Sequence, residues 1–446
     1  MAAMTRTRRN FIRHIGRFAS SEEGAMTAFG LFLFTAACAI GGLAIDVSNA
    51  MRIRTQLQVA ADSAAHAALV ARQTESEASA IAAALAVVER SLPAAIHGTV
   101  IETADVVFGE WDETLRTFVA SPGAKEAVFV DTSRVDQRGN AVNTFLLKLI
   151  GFEAFSVIRQ SVAHVYNPTC MLEGFVAESY VDVTSNNYYT SGFCIHSNGY
   201  IEVSSNNTYE EGVIVSMPDR QDIVLPNSGL ETNVGLAEAL RDSYYEIDAA
   251  DRVLAMKQGI TNPSSPYYPD YLISPMPRTL DWKNKLDETT WQPGYIHEAT
   301  CNSTNQRLNV PQDTVLRQGV LITNCEVSFG SGAAVEDVTV ITTSPSVNSI
   351  TGAAGIRMGV DDDCAPGGGA QFFTLGGLRV PASFRIFGSQ VIAGGPVNFV
   401  ADTGGVDGAL VVSDQSIEAT SGGTIGFCGV DGLPDWAKRP YYRIVL

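Results

Sequence analysis

The chain is short of charge. Only 17% of its 446 residues are Asp, Glu, Lys or Arg, against about a quarter in an average soluble protein. Basic charge is scarcer still: 48 Asp and Glu outnumber 30 Lys and Arg, for a formal net charge of −18. Nucleic-acid binders draw their affinity from basic surface, so nucleic acid is excluded as a partner. Motifs of catalysis are missing too. There is no G-x-S-x-G, no Walker loop and no G-x-G-x-x-G, and His14, His66, His97, His164, His196 and His297 form no ligand-spaced pair. The seven Cys include no C-x-x-C, which excludes compact zinc modules. No metal and no cofactor are expected. Long disorder is excluded as well, because 46% of the residues are hydrophobic.

What is present begins with a charge-free run, Ala25–Ile45. At 1.5 Å per residue its 21 residues cover about 30 Å, the thickness of a bilayer's hydrocarbon layer, so it reads as a transmembrane helix. Before it lie Arg6, Arg8, Arg9, Arg13 and Arg17 with Glu22 and Glu23; soon after it come only Arg52 and Arg54. Residues 1–24 therefore carry +3 and the rest −21. The positive-inside rule keeps this basic tail in the cytoplasm and exports the body. A cleavable secretory signal is the competing reading, but the run is long for one and no convincing A-x-A site ends it. Gly41 and Gly42 would admit a close neighbour, although isolated Gly is common in membrane helices.

Cys38 lies in the span and reads as an inert apolar residue. The other six Cys fall in the body, as expected of disulfides in an oxidising compartment. Cys170 and Cys194 are 24 apart, and so are Cys301 and Cys325. If one coil of a stacked-coil fold takes about 24 residues, each pair bridges neighbouring coils. That spacing predicts Cys170–Cys194 and Cys301–Cys325, and elimination leaves Cys364–Cys428.

Residues 47–92, rich in Ala, Leu, Gln and Glu and ended by Pro93, read as helix continuing out of the membrane. Leu57, Ala60, Ala61, Ala64, Ala68 and Ala71 form a stripe of small side chains, suited to packing within the domain or on a partner helix. Short β-branched runs around a helix-like segment make 99–166 a small α/β or α+β unit, closed by Asn167-Pro168. From Cys170 the texture changes to strands of three or four residues separated by Ser, Asn and Gly, such as YIEV (200–203), DVTVITT (337–343) and SQVI (389–392). This suits a right-handed parallel β-helix, a solenoid, better than a sandwich, whose strands are longer. The expected organisation is a tail 1–24, a span 25–45, a helical and α/β unit 46–168, and a solenoid 169–446 with an insertion 217–300.

Within that insertion, 233–258 reads as helix and 260–296 as a Tyr-rich excursion. Tyr267, Tyr268, Tyr271, Trp282, Trp291 and Tyr295 offer large contact area at small entropy cost, which makes the first five candidate interaction residues. The alternative is that the rings fold back and cap the solenoid wall. Asp46, just after the span, is either an interaction residue or a cap for a helical segment. Asp361-Asp362-Asp363, beside Cys364 and a Gly-rich turn, is the best acidic candidate for catalysis. Three consecutive carboxylates point different ways, so the cluster reads as a solvated loop and the chain as a non-enzyme.

The stretch from FIRHIGRF through EEGAMTAFGLFLF and AIDVSNAMRIR to LQVAADSAAHAAL resembles the N-terminal domain of the TadE/TadG-like proteins of Flp (Tad) pilus assembly. The shared order is a basic tail, an acidic-Gly junction, an apolar span ending in Asp-Val, an Arg-containing turn, then Leu57, Gln58, Ala60, Ala61, Asp62, Ala64 and Ala65. VVFGEWDE (106–113), AVFV, GNAVNTFLLKLIG, SVAHV, Cys170-x-Leu172 and Gly192-Phe193-Cys194 extend the likeness over about the first 215 residues. Five residues after Gly24, where pilin-like members carry Glu, stands Phe29, which favours a membrane-retained, TadG-like protein over a cleaved one. The D-x-S-x-S metal motif of some TadG proteins is not found. The resemblance implies an inner-membrane, single-pass scaffold or adhesion-promoting protein with a periplasmic body, other Flp components as partners, and homo- or hetero-oligomerisation left open. The rival is a membrane-tethered β-helix binding or cleaving polysaccharide.

Overall fold

The structure, a computed structural model, describes residues 23–166, 168–303, 306–420, 422–429 and 441–446. The basic tail, with the orientation and processing expected from it, lies outside the described residues. The chain divides into two compact units: Met1–Tyr166 with Pro440–Leu446, called the head here, and Asn167–Arg439. The expected solenoid boundary of 169–446 is thereby corrected, since the last residues belong to the head.

The head starts with one helix, Glu23–Thr74, whose N-terminal part is long and apolar enough to cross a membrane. The expected uninterrupted helix to residue 92 breaks at Glu75-Ser76. Ser76 accepts the Ser79 N–H and starts a second helix, Glu77–Ser91, because a Ser cap satisfies donors that a new helix leaves free. Both helices pack on an antiparallel sheet in the order Thr117–Ala120, Val106–Asp112, Ala127–Arg134, Val157–Tyr166, Tyr441–Ile444. Leu57, Ala60, Ala61, Ala64 and Ala68 are all buried in this interface. The small-residue stripe therefore packs within its own domain.

The second unit is a β-solenoid of about 12 turns between residues 174 and 426. Three strips of short parallel strands form its faces, and side chains such as Val181, Ile201 and Ile417 fill its interior. The stacking order departs from the chain order. The first coil, 174–189, pairs with 194–209 on one side and with the last coil, 410–425, on the other. One arm runs from the first coil through Ile214–Met217 to Leu240–Asp242. The chain then crosses to the opposite end of the stack at Arg278–Leu280 and returns coil by coil to residue 426. Those two ends are ten pairing steps apart, or about 48 Å at roughly 4.8 Å per step.

This topology corrects the expected insertion. Residues 217–242 and 278–300 belong to the stack or its edge, and the excursion is 243–277. The expected helix over 233–258 is also divided. Leu236–Ala239 is a single turn, Leu240–Asp242 is a strand paired with Val215–Met217, and the helix is Ala249–Gly259. Tertiary pairing overrides helix propensity at Leu240, whose neighbours Leu236 and Ala239 are buried in the solenoid core. The helix lays Ala249, Val253 and Met256 inward, and Asp414 caps its start by accepting the N–H groups of Ala249 (2.7 Å) and Ala250 (2.8 Å).

Candidate functional site

Buried carboxylates stand in both units, among them Asp46 in the head and Glu173 in the solenoid. In the head, Asp46 lies inside the long helix and is buried. Its carboxylate accepts the backbone N–H groups of Phe145 (2.7 Å), Leu146 (2.9 Å) and Leu147 (2.8 Å), where the 3-10 turn Leu147–Ile150 begins. It therefore caps a turn about a hundred residues away in sequence. Asp46 is an internal anchor, and its burial removes it from the candidate interaction residues.

In the solenoid, carboxylates collect at the seam where the chain joins the stack and leaves it. Cys428 follows the last coil and is bonded to Cys364, with the two Cα atoms 5.5 Å apart; Cys170 precedes the first coil and is bonded to Cys194. Between them Glu173 is fully buried and accepts the Cys428 N–H at 2.6 Å. Burial pushes its pKa up to about 7, against the opposing effect of hydrogen bonds from Cys428 and Gly429, and the negative charge of Asp407 adds to the rise. Asp407 is itself raised, first by burial and then by Asp361 and Asp363. Asp361, Asp362, Asp363, Asp407, Gly388 and both cysteines line a cavity of about 260 Å3.

The acidic triplet thus lies beside one further carboxylate, with Asp362 turned back to accept the Ala365 N–H at 3.1 Å. Asp361, Asp362 and Asp363 are themselves solvent-exposed. Among the described residues, no three His, Cys, Asp or Glu are arranged so that they could hold a metal ion. The two most buried histidines are engaged elsewhere. His196 contacts Ser216 (2.8 Å) and Asn198 (2.9 Å), His297 stacks on Trp291, and burial lowers each to about 4.

Of the aromatic candidates, Trp291 is buried, donates its indole N–H to the Arg317 carbonyl at 2.9 Å and belongs to the solenoid core. Trp282 is partly buried against that core. Tyr271 is half-buried with its hydroxyl 3.2 Å from Thr339 Oγ1, and burial raises its pKa. Tyr267 and Tyr268 are also half-buried. Trp291, Trp282 and Tyr271 are parts of the wall, which corrects their assignment as free contacts.

All three expected disulfides form. Cys301 and Cys325 occupy equivalent places on neighbouring coils, since Tyr295 pairs with Gly319 one 24-residue coil later. The one-coil explanation fails for the other 24-residue pair. Cys194 pairs in register with Gly174, a 20-residue coil, and Cys170 reaches Cys194 from the lead-in segment. That shorter period is written in YVDVTSNNYYTSGF (180–193) and YIEVSSNNTYEEGV (200–213). Its Asn residues form a ladder, with Asn207 Oδ1 accepting from the Asn187 N–H (2.9 Å) and Asn233 Oδ1 from the Asn207 N–H (3.1 Å). Neither Glu173 nor the loop 145–152 stands out in the sequence, because their meaning depends on contacts far along the chain.

Comparison with known proteins gives two matches. A family model described as domain of unknown function (DUF7867) covers residues 174–429, the whole solenoid. A second, described as Flp pilus-assembly TadE/G-like, covers residues 24–89, the span and the helices that follow it. No curated protein matches the chain.

Proposed function

We propose, from the premise that this chain belongs to the DUF7867 family and carries a TadE/G-like module at its N-terminus, that it is a membrane-anchored accessory protein of Flp pilus assembly. Its N-terminus is cytoplasmic, its body stands in the periplasm, and its role is structural: it scaffolds other Flp components and promotes attachment. The observation that carries this reading is the coincidence of the TadE/G-like match with the helix long and apolar enough to span a membrane. Five Arg before the span and three disulfides after it support the orientation.

A non-enzymatic role is supported by the seam itself. Its carboxylates are at the chain's point of attachment, beside two disulfides, and their cavity is small for a polysaccharide. The reading predicts that cells lacking the chain lose Flp pili or pilus-dependent attachment, and that the full chain restores them. Normal piliation and attachment without it would overturn the reading. Protease added to spheroplasts should digest the solenoid; survival until lysis would reverse the orientation.

A further inference from the structure

Among its described residues the head exposes a compact set of large apolar side chains outside its long helix. Phe145 is 59%, Leu149 65%, Ile150 52% and Phe152 46% exposed, all within eight residues. Their intervening neighbours face the other way. Leu147 packs against Gly42, where an added Cβ would stand 3.0 Å from Leu147 Cδ2, and Leu146 packs beside Gly41, where an added Cβ would stand 3.6 Å from Leu146 Cδ1. Asp46 fastens the backbone of the same turn. The close neighbour that Gly41 and Gly42 admit is thus a loop of the same chain.

The height of that contact decides what surrounds the loop. Gly41 and Gly42 lie inside the charge-free run that ends at Ile45, so at 1.5 Å per residue they sit about 5 Å within its apolar length. The helix exposes Ile40 (70%), Leu43 (58%) and Ile45 (53%) at the same level. We propose that the loop 145–152 is a second membrane contact, seated in the leaflet from which the helix emerges. This inference rests on the reading that the helix spans a membrane.

Lipid fits the chemistry of this surface better than a protein does. The exposed side chains are bulky hydrocarbons and aromatics on a one-turn element that offers few polar groups for specific recognition. Lys148, exposed in their midst, can run its stem along acyl chains and place its ammonium among lipid phosphates. With a rigid helix and a loop fastened to it at three backbone donors, two immersed points would fix the height and tilt of the head on the membrane.

The test uses the full chain with Cys38→Ala, reconstituted in vesicles of phosphatidylcholine and phosphatidylglycerol. Single cysteines at Leu149, Leu33 and Lys125 carry an environment-sensitive fluorophore, and lipids bear nitroxides at shallow or deep positions. Leu33 lies in the span. Lys125 accepts a hydrogen bond from Gln73 near the helix's far end, about 40 Å beyond Ile45 along its axis. A probe at Leu149 should be quenched by shallow nitroxides several-fold more than one at Lys125. Quenching at Leu33 without any excess at Leu149 would overturn the proposal and leave the anchor standing. No quenching at Leu33 would overturn the anchor itself. Shielding of Leu149 that disappears when protein is diluted in lipid would show a protein-covered surface and overturn the lipid assignment.

Discussion

The head and the solenoid both end in β-pairing, yet they use the chain in opposite ways. In the head, four sheet strands between Val106 and Tyr166 pair antiparallel and the fifth, Tyr441–Ile444, joins only after the whole solenoid has been traversed. In the solenoid every coil stacks in parallel on a copy of itself, but the first coil sits in the middle of the stack. A simple solenoid would leave its two chain ends about 48 Å apart. This one brings them to adjacent coils, which suits an insertion between two neighbouring strands of the head's sheet. The lesson concerns cooperativity. Repeat proteins gain stability from nearest neighbours, whereas here two arms depend on one joint between Phe175–Ala177 and Val411–Ser413.

The sharpest way to break the joint is to empty it. Phe399 on the returning arm meets Phe175 of the first coil edge-on at a ring separation of 5.7 Å and also touches Phe384. Phe399→Ala should cost about 3–5 kcal/mol, read by denaturant unfolding of the solenoid. A loss under 1 kcal/mol would show that the arms are stable separately.

The disulfides rank next. Removing Cys364–Cys428, which closes a 64-residue separation, should cost about 4 kcal/mol. Removing Cys301–Cys325, at 24 residues, should cost about 3.5 kcal/mol. Paired Ser substitutions compared by denaturant midpoint would reverse the ranking if the seam were not a point of closure.

Glu173 adds a pH dependence of the opposite sense to that of Asp46, whose carboxyl, against the raising effect of burial, is held below its ordinary pKa by the three backbone N–H groups it accepts. The folded pKa of Glu173, about 7, lies above the ordinary 4.5, so between those values the folded chain holds a proton that the unfolded chain releases. Stability from this group is full below pH 4.5 and is lost as pH rises through 7, by roughly 3 kcal/mol in total. Glu173→Gln should therefore gain on the wild type across that window in thermal melts at successive pH values. A constant difference would remove the buried-acid assignment. His196 and His297, lowered to about 4, act in the opposite sense: their contribution is present above pH 6.5 and lost as pH falls through 4.

In the head the expected effect is smaller and steric. Ala64→Leu overpacks a fully buried position between helix and sheet and should cost about 1–3 kcal/mol. Leu introduced at an exposed helix position, as in Val59→Leu, should cost far less.

What was legible in the sequence divides along the same line. The charge-free run, the Ala stripe, the short strands and the two 24-residue Cys spacings are local patterns, and all reappear in the structure; the third Cys pair follows from them by elimination. The 20-residue period was equally local, in the two S-N-N segments, but the coincidence of two 24-residue Cys spacings obscured it. The folded-back order of the coils has no local signature. Nothing within 174–177 or 410–413 distinguishes a pairing across the joint from one with the adjacent coil. The aromatic segment 260–296 illustrates the same limit: Trp291 has the composition of a contact residue, and only the neighbouring coil at Arg317 turns it into wall. Asp46 was recognisable as a cap, but its turn lies too far along the chain to be named.

The folded-back stack itself can be tested most directly with one crosslink. Asp182 and Glu418 are register partners on an outward face, although 236 residues separate them, and Glu202 lies on the other side of Asp182. Cysteines at 182 and 418 should form a disulfide in the oxidised full chain, identified by non-reducing peptide mapping, as should the neighbouring-coil control at 182 and 202. A control pair that crosslinks while 182 and 418 do not would place the last coil away from the first and contradict the joint.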